Sequence, residues 1–518
     1  MSSLLLTLAL FAADPVQADL VLRGGTLYDG SGGEAQVGDV AVKGDKIVAV
    51  GTFEVAGSPR IIDCKGRVVA PGFIDLHSHS DSGIVQAKTR QNANFLMQGC
   101  TTVVTGNCGG GPTNVGEYFS KIDESGAGTN VLHLLPQGSL RSRVMGDANR
   151  PATAAELEEM KTLADKAMRE GACGMATGLI YVPGSFTKTD ELIAIAEVVA
   201  KYHGFYASHI RNEGSQLLES LDEILTIGKQ AKLPVHVSHI KVSGRSSWGL
   251  APDAIRKLNE ARAAGQQVTA DQYPYAASST SLSATVIPDE LRSWTKLKAA
   301  LDDPEQGHGA KVRQQIERSI QQKDGGGAVM IASFSAERSW QGKNIAQIAK
   351  ETSQTPLDVV LDIMRRGGAQ IVNFGMNEDE VRLFMREPWV ATASDGSTQP
   401  LDSPAQPHPR AFGTFPRKIG RYAIEGGFVP LAQAIRSASG LPADVLRLTD
   451  RGYLKPGYFA DVVVFDPATF RDVATFEKPL VWATGTKLVL VNGQIAVENE
   501  KPTDKLAGRA LRHPVKQP

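Results

Sequence analysis

Between residues 101 and 395 the chain repeats one alternation, a short apolar run followed by an amphipathic helical pattern. The runs are "TTVVTGNC", "VLHLLPQG", "GACGMATGL", "GFYASHI", "PVHVSHI", "QVTADQY" and "WVATASD", with helical stretches such as "AAELEEMKTLADKAMREG" and "SQLLESLDEILTIGKQA" between them. Strands separated by helices neighbour one another in parallel, because each crossover returns the chain to the same end of the sheet. The run that ends at His77 brings the total to eight, the number that closes a (β/α)8 barrel. "VMIASF" and "QIVNFG" are left out of that eight. The reading is an α/β chain with a barrel over residues 71–445. Residues 288–345, irregular and charged, are expected to be an insertion over one end.

The two ends read differently. Residues 19–70 hold short strands separated by Gly, Asp and Lys turns, and "YFADVVVFD" and "TKLVLVNGQIAVEN" repeat that pattern near the C-terminus. A small β-sandwich built from residues 19–70 and 446–518 is therefore expected. The 55 basic and 56 acidic residues of the whole chain leave a formal net charge of −1, without the basic excess that nucleic acid or an anionic membrane would select. Four cysteines in 518 residues do not form a disulfide framework. "SLLLTLALFAADPVQA" has the length and small-residue end of a signal peptide but no Lys or Arg before Arg23. Residues 1–18 are set aside from the fold on this reading, which favours a periplasmic or secreted protein over a cytoplasmic one. Beyond them no apolar run is long enough to span a bilayer.

In a (β/α)8 barrel, chemistry collects where the strands end. "VVAPGFIDLHSHSD", Val68 to Asp81, ends in two histidines one residue apart, which a β-strand would project together. Four of the other strand-like runs end in Cys108, His209, His239 and Asp395. His209 and His239 are about one βα repeat apart and so neighbours around the barrel. Zinc takes imidazole, thiolate and carboxylate donors, and a carboxylate beside activated water can shuttle its proton. The set reads as a metal-assisted hydrolase. Asp75 reads as a turn cap. His236, of opposite parity to His239, is expected to face the surrounding helices. His133, His203, His308 and His513 have no companions, and His408 reads as turn structure between prolines.

With "TGNCGGGP", "TGLIYVPGSFTKTDELI", "ASHIRNEG", "VSHIKVSG", "DQYPYAASST", "HPRAFGTFPR" and "DRGYLKPGYFADVVVFDP" added, the chain resembles the amidohydrolase superfamily and, within it, the D-aminoacylase (N-acyl-D-amino-acid deacylase) family, from about Asp19 to Asn492. The resemblance implies one tightly bound Zn2+ on Cys108, His209 and His239. It implies a second, weaker metal position lined by His77, His79, Cys108 and Asp395. Asp395 would take a proton from water and return it to the leaving amine. Arg410 would hold the substrate carboxylate, with Tyr273 a second donor, Tyr275 its alternative, and Lys241 a substrate-mouth or structural residue. The stretch from Asp395 to Arg410 is longer than the family form, which bears on the reach of Arg410. An acidic substrate would need a further cation, for which Lys241, Arg211 and Arg245 are the candidates. The expected partner is a small-molecule N-acyl amino acid; oligomeric state is not legible. A cyclic-amide hydrolase of the hydantoinase or dihydropyrimidinase kind and a non-catalytic interaction protein on the same fold are the competing readings.

Overall fold

The computed structural model describes residues 14–303 and 305–513. Eight parallel strands form its centre: β1 (Phe73–Asp75), β2 (Cys100–Thr105), β3 (Asn130–His133), β4 (Gly174–Gly178), β5 (Phe205–His209), β6 (Val235–Val237), β7 (Val268–Gln272) and β8 (Val390–Thr392). β3 breaks at Leu134, and its continuation Leu135–Pro136 pairs with β4. A parallel bridge between Ser78 and Gly396 joins β1 to β8 and closes the ring. These are the eight runs read from the sequence.

Side-chain parity separates inside from outside. Met175, Tyr206, Val235, Val237, Val268 and Val390 pack outward against the helices, while Ile74, Val104, Leu132, Ala176, Ala207 and Ala391 fill the interior with Leu441, Ala443 and Leu446. The crossover helices form where an apolar stripe recurs at helical spacing. In Leu217–Ala231 the buried stripe is Leu217, Leu221, Ile224, Ile227 and Ala231. Ala154–Arg169 starts on a capping box in which Thr153 and Glu156 satisfy each other's backbone N–H groups.

The terminal strands form one nine-stranded sheet. Its seam is antiparallel pairing of Val462–Phe465 with Val68–Pro71, which in turn pairs in parallel with Leu20–Leu27. Val462 and Val464 point into the sandwich core with Leu22, Val40 and Val69, and Val463 and Phe465 point at the barrel. Val16–Gln17 pairs with Val55–Ala56, so the end of the 1–18 stretch belongs to the fold; residues 1–13 lie outside the described residues.

The inserted unit is longer than the expected 288–345. It leaves after β7 and folds Ser278–Ser281, Gln370–Asn373 and Val329–Ser333 into an antiparallel sheet. The core under this sheet is its own, with Leu282, Leu297, Ile316, Ile331 and Ile363. Charge marked only the helical part of the unit; Val329–Ser333 and Gln370–Asn373 carry apolar residues like barrel strands, and Ser278–Ser281 is polar throughout. Among the described residues no helix is long and apolar enough to cross a membrane.

Candidate metal centre

Six side chains converge at the carboxyl ends of the strands. His209 ends β5 itself, and the others leave just beyond β1, β2, β6 and β8. Their ligand atoms form two groups in which all lie within 4.8 Å of one another: His77, His79, Cys108 and Asp395, and Cys108, His209 and His239. Cys108 belongs to both. Its Sγ is 3.3 Å from His77 Nε2, 3.5 Å from His239 Nε2 and 3.9 Å from His209 Nδ1.

The backbone is bent to achieve this. Cys108, His239 and Asp395 all have positive φ, at 52°, 37° and 50°, a left-handed region costly for side chains with a Cβ and found chiefly where the surroundings enforce it. Glycines make room for the Cys108 turn. A Cβ on Gly106 (φ 81°) would sit 2.1 Å from the Leu134 carbonyl, and one on Gly178 would sit 2.2 Å from the carbonyl of Cys108.

Two carboxylates absent from the sequence reading hold the imidazoles from behind. Asp271, the inward residue near the end of β7, accepts from His236 Nε2 (2.8 Å), from the His239 backbone N–H (2.7 Å) and from His77 Nδ1 (3.3 Å). This corrects His236, which is buried inside the barrel and not against the helices. Counting residues from His239 misled because the chain leaves β geometry after Val237. Glu213 lies 3.0 Å from His239 Nδ1 and 3.7 Å from His209 Nε2, and Lys241 Nζ donates to it at 2.5 Å. The "HIRNEG" spacing was the available signal for Glu213. Asp75 does more than cap a turn: its Oδ1 accepts from the backbone of both His77 and Ser394, tying β1 to β8.

Electrostatics favour metal over proton. Burial pushes the His77 imidazole down to about 4, and burial also lowers His209 well below its ordinary range, so both are neutral imidazoles at pH 7, the form a metal would take. Burial works to raise Asp395 and Asp271, but the Arg410 guanidinium and a hydrogen bond from His79 outweigh it at Asp395, as the hydrogen bonds from His236 and His77 do at Asp271; both stay ionised. Burial and Asp395 push the Cys108 thiol well above its usual range, a direction a bound cation reverses. Sulfur, imidazole and carboxylate donors around one shared thiol fit zinc.

Arg410 Nη1 lies 2.8 Å from Asp395 Oδ2, its guanidinium stacks 4.7 Å over the Tyr273 ring, and Nη2 reaches the Ser279 carbonyl at 3.4 Å. The long 395–410 stretch thus still delivers the fork to the site. Tyr273 is buried, with its hydroxyl 3.7 Å from Met376 Sδ, and Tyr275 stacks under Arg417. Lys241 is 3% exposed and turned to Glu213, which makes it part of the support of the centre. His408 accepts from the Arg410 backbone N–H and bonds the Ala277 carbonyl, seating the helix that carries Arg410. His133 bonds Thr105 and the Pro112 carbonyl away from the centre. Arg211 pairs with Glu223 and Arg245 with Asp324.

A cavity of about 1260 Å³ opens onto His79, Cys108, Asp395 and Arg410, and the inserted unit supplies one wall with Ser279, Thr280, Ser281, Ser333 and Gln370. Buried donors at a cavity floor with a hydroxyl-lined wall are the form of a small-molecule site.

The amidohydrolase family model matches residues 60–497. The chain is 34% identical to the D-aminoacylase of Alcaligenes xylosoxydans xylosoxydans, over 96% of this chain and 98% of that one. It is 33% identical to the N-acyl-D-glutamate deacylase of the same organism, over 95% and 96%. Among solved structures it is similar to the N-acyl-D-glutamate deacylase of Bordetella bronchiseptica, complexed with zinc and a phosphonate mimic of the reaction's tetrahedral intermediate, at 30% identity and a TM-score of 0.82 over 96% of this chain and 100% of that one. A dihydropyrimidinase from Brevibacillus agri shares the fold at 16% identity and a TM-score of 0.55, over 95% and 99%.

Proposed function

The chain belongs to the amidohydrolase family, and on that premise we propose that it is a zinc-dependent hydrolase that cleaves N-acyl-D-amino acids to a carboxylate and a free D-amino acid. The single observation that carries the proposal is the placing of Cys108 Sγ between two donor groups beside an ionised Asp395. Cys108, His209 and His239 would hold the tighter ion, and His77, His79, Cys108 and Asp395 line a second position. Zinc, when bound, supplies Lewis-acid polarisation of the amide carbonyl and water of pKa near ~7.

The protein's own groups do the rest. Asp395 accepts the proton of the attacking water and returns it to the leaving nitrogen. Arg410 keeps Asp395 ionised, and its planar fork, stacked on Tyr273 at the cavity floor, is suited to the substrate carboxylate. The hydroxyls and amide of the inserted wall meet the remainder of the substrate.

The cavity also favours neutral over acidic side chains. Among its described lining residues the Lys and Arg cations are Arg410 and Lys121, and Lys121 is held by Glu117 at 2.7 Å. A side-chain carboxylate would lack a charge-assisted partner there, an interaction of roughly 1.5–3 kcal/mol.

Zinc-loaded protein should release amine from N-acetyl-D-amino acids and not from the L-series, and Cys108→Ala should abolish it. N-acetyl-D-glutamine should be cleaved at least about tenfold more efficiently than N-acetyl-D-glutamate. Release from the L-series alone, or from neither series with zinc bound, would refute the reading.

A further inference from the structure

We infer that Glu213 is a positioning residue that presents His209 and His239 to the first metal ion. The inference rests on the metal-centre reading above.

The geometry carries it. His239 turns Nε2 to Cys108, 3.5 Å away, and His209 turns Nδ1 to the same sulfur at 3.9 Å. The ring nitrogens left over face one carboxylate: His239 Nδ1 lies 3.0 Å from Glu213 Oε1, and His209 Nε2 lies 3.7 Å from Glu213 Oε2. His209 Nε2 is buried and makes no hydrogen bond to the described residues, and Glu213 is the acceptor nearest it, at 3.7 Å. A histidine that gives one nitrogen to a metal carries its proton on the other, so a carboxylate behind it fixes tautomer and ring orientation together. One carboxylate bridging two imidazoles does so for both at once, although one ring binds through Nδ1 and the other through Nε2.

The loop around Glu213 is built to hold it there. The Ser243 backbone N–H donates to the Glu213 carbonyl at 2.7 Å, linking the loops after β5 and β6. Asn212 Oδ1 accepts from the backbone N–H groups of Gly214 and Gln216. Lys241 Nζ donates to the Oε1 that faces His239 and lies 2.8 Å from His239 Nδ1. With Nε2 turned to the metal set, Nδ1 carries the proton and donates to Glu213; its 2.8 Å approach to Lys241 Nζ is then a contact between two donors, held together by the Oε1 they share. Among the described residues the other donor group has no equivalent bridge: His77 leans on Asp271 at 3.3 Å, and His79 contacts Asp395, a member of its own group.

The test is zinc affinity of the full-length protein, stripped by a chelator and reloaded in competition with a zinc-binding dye, for wild type, Glu213→Gln, Glu213→Ala and the double variant Glu213→Gln/Lys241→Met. Cobalt(II) absorption spectra of each report the ligand geometry. The first equivalent should bind about 10- to 100-fold more weakly in both single variants, with an altered cobalt spectrum, and the double variant should stay weak. Affinity within twofold of wild type in both single variants would overturn the inference. Affinity recovered in the double variant would also overturn it, because Glu213 would then only neutralise Lys241. A wild type that takes up no zinc would do the same. If wild type binds zinc and the Glu213 dependence holds while no N-acyl amino acid is cleaved, the proposed activity fails and the positioning role stands.

Discussion

The helix that delivers Arg410 also buries an amine, Lys418. It runs from Arg410 to Pro416 and continues in wider, π-type turns to Glu425, with Lys418 2% exposed and its Nζ without a hydrogen-bond partner among the described residues. Burial lowers this ammonium from its ordinary 10.5 to about 7. Between those two pH values the unfolded chain binds a proton that the folded chain does not, so stability rises with pH across that window. Each pH step there is about 1.4 kcal/mol. The group therefore costs the fold roughly 5 kcal/mol at pH 6, where the folded state must also carry the charge, and roughly 2 kcal/mol at pH 9. Lys418→Met removes the charge and keeps an unbranched side chain of similar length. A chain of this size unfolds with an entropy of about 1 kcal/mol per kelvin, so the variant should melt about 5 °C above wild type at pH 6 and about 2 °C above it at pH 9. Thermal melts of both proteins at the two pH values, with identical metal loading, measure this. An equal shift at both pH values, or a lower Tm at pH 6, would show that Lys418 is not a desolvated amine in the fold.

Asp271→Asn should weaken metal binding or activity by about 10- to 100-fold, because His77 and His236 lose their shared charged acceptor; chelator competition and steady-state rates report it. Arg410→Lys keeps the charge but loses the planar fork, and should cost at least about tenfold in kcat/KM, with circular dichroism unchanged. Removing metal with a chelator should abolish amide hydrolysis, and adding back zinc should restore it while magnesium should not, since thiolate and imidazole donors select against hard cations; equal recovery with magnesium would count against the Cys108 centre.

The residues that lead at the centre were readable because each stands at or just past the carboxyl end of a strand-like run, and strand ends are where a parallel barrel gathers its chemistry. His77, His79, Cys108, His209, His239 and Asp395 all meet in the structure. The inserted unit was only half readable: charge marked its helices, but its strands Val329–Ser333 and Gln370–Asn373 are as apolar as those of the barrel.

What the sequence determined by itself was local: strand and helix periodicity, the donor types, and the order in which they leave the barrel. Only the tertiary structure decided which polar groups stand behind those donors. Asp271 reaches three groups, on His77, His236 and His239, because adjacent parallel strands and ring closure bring β1, β6 and β7 to one layer. Glu213 bridges His209 and His239 because the loops after β5 and β6 are hydrogen-bonded to each other. His236 shows the reason most directly. Parity along a strand holds only while the backbone stays extended, and His239, at φ 37°, lies past the point where packing around the centre has bent the chain out of register.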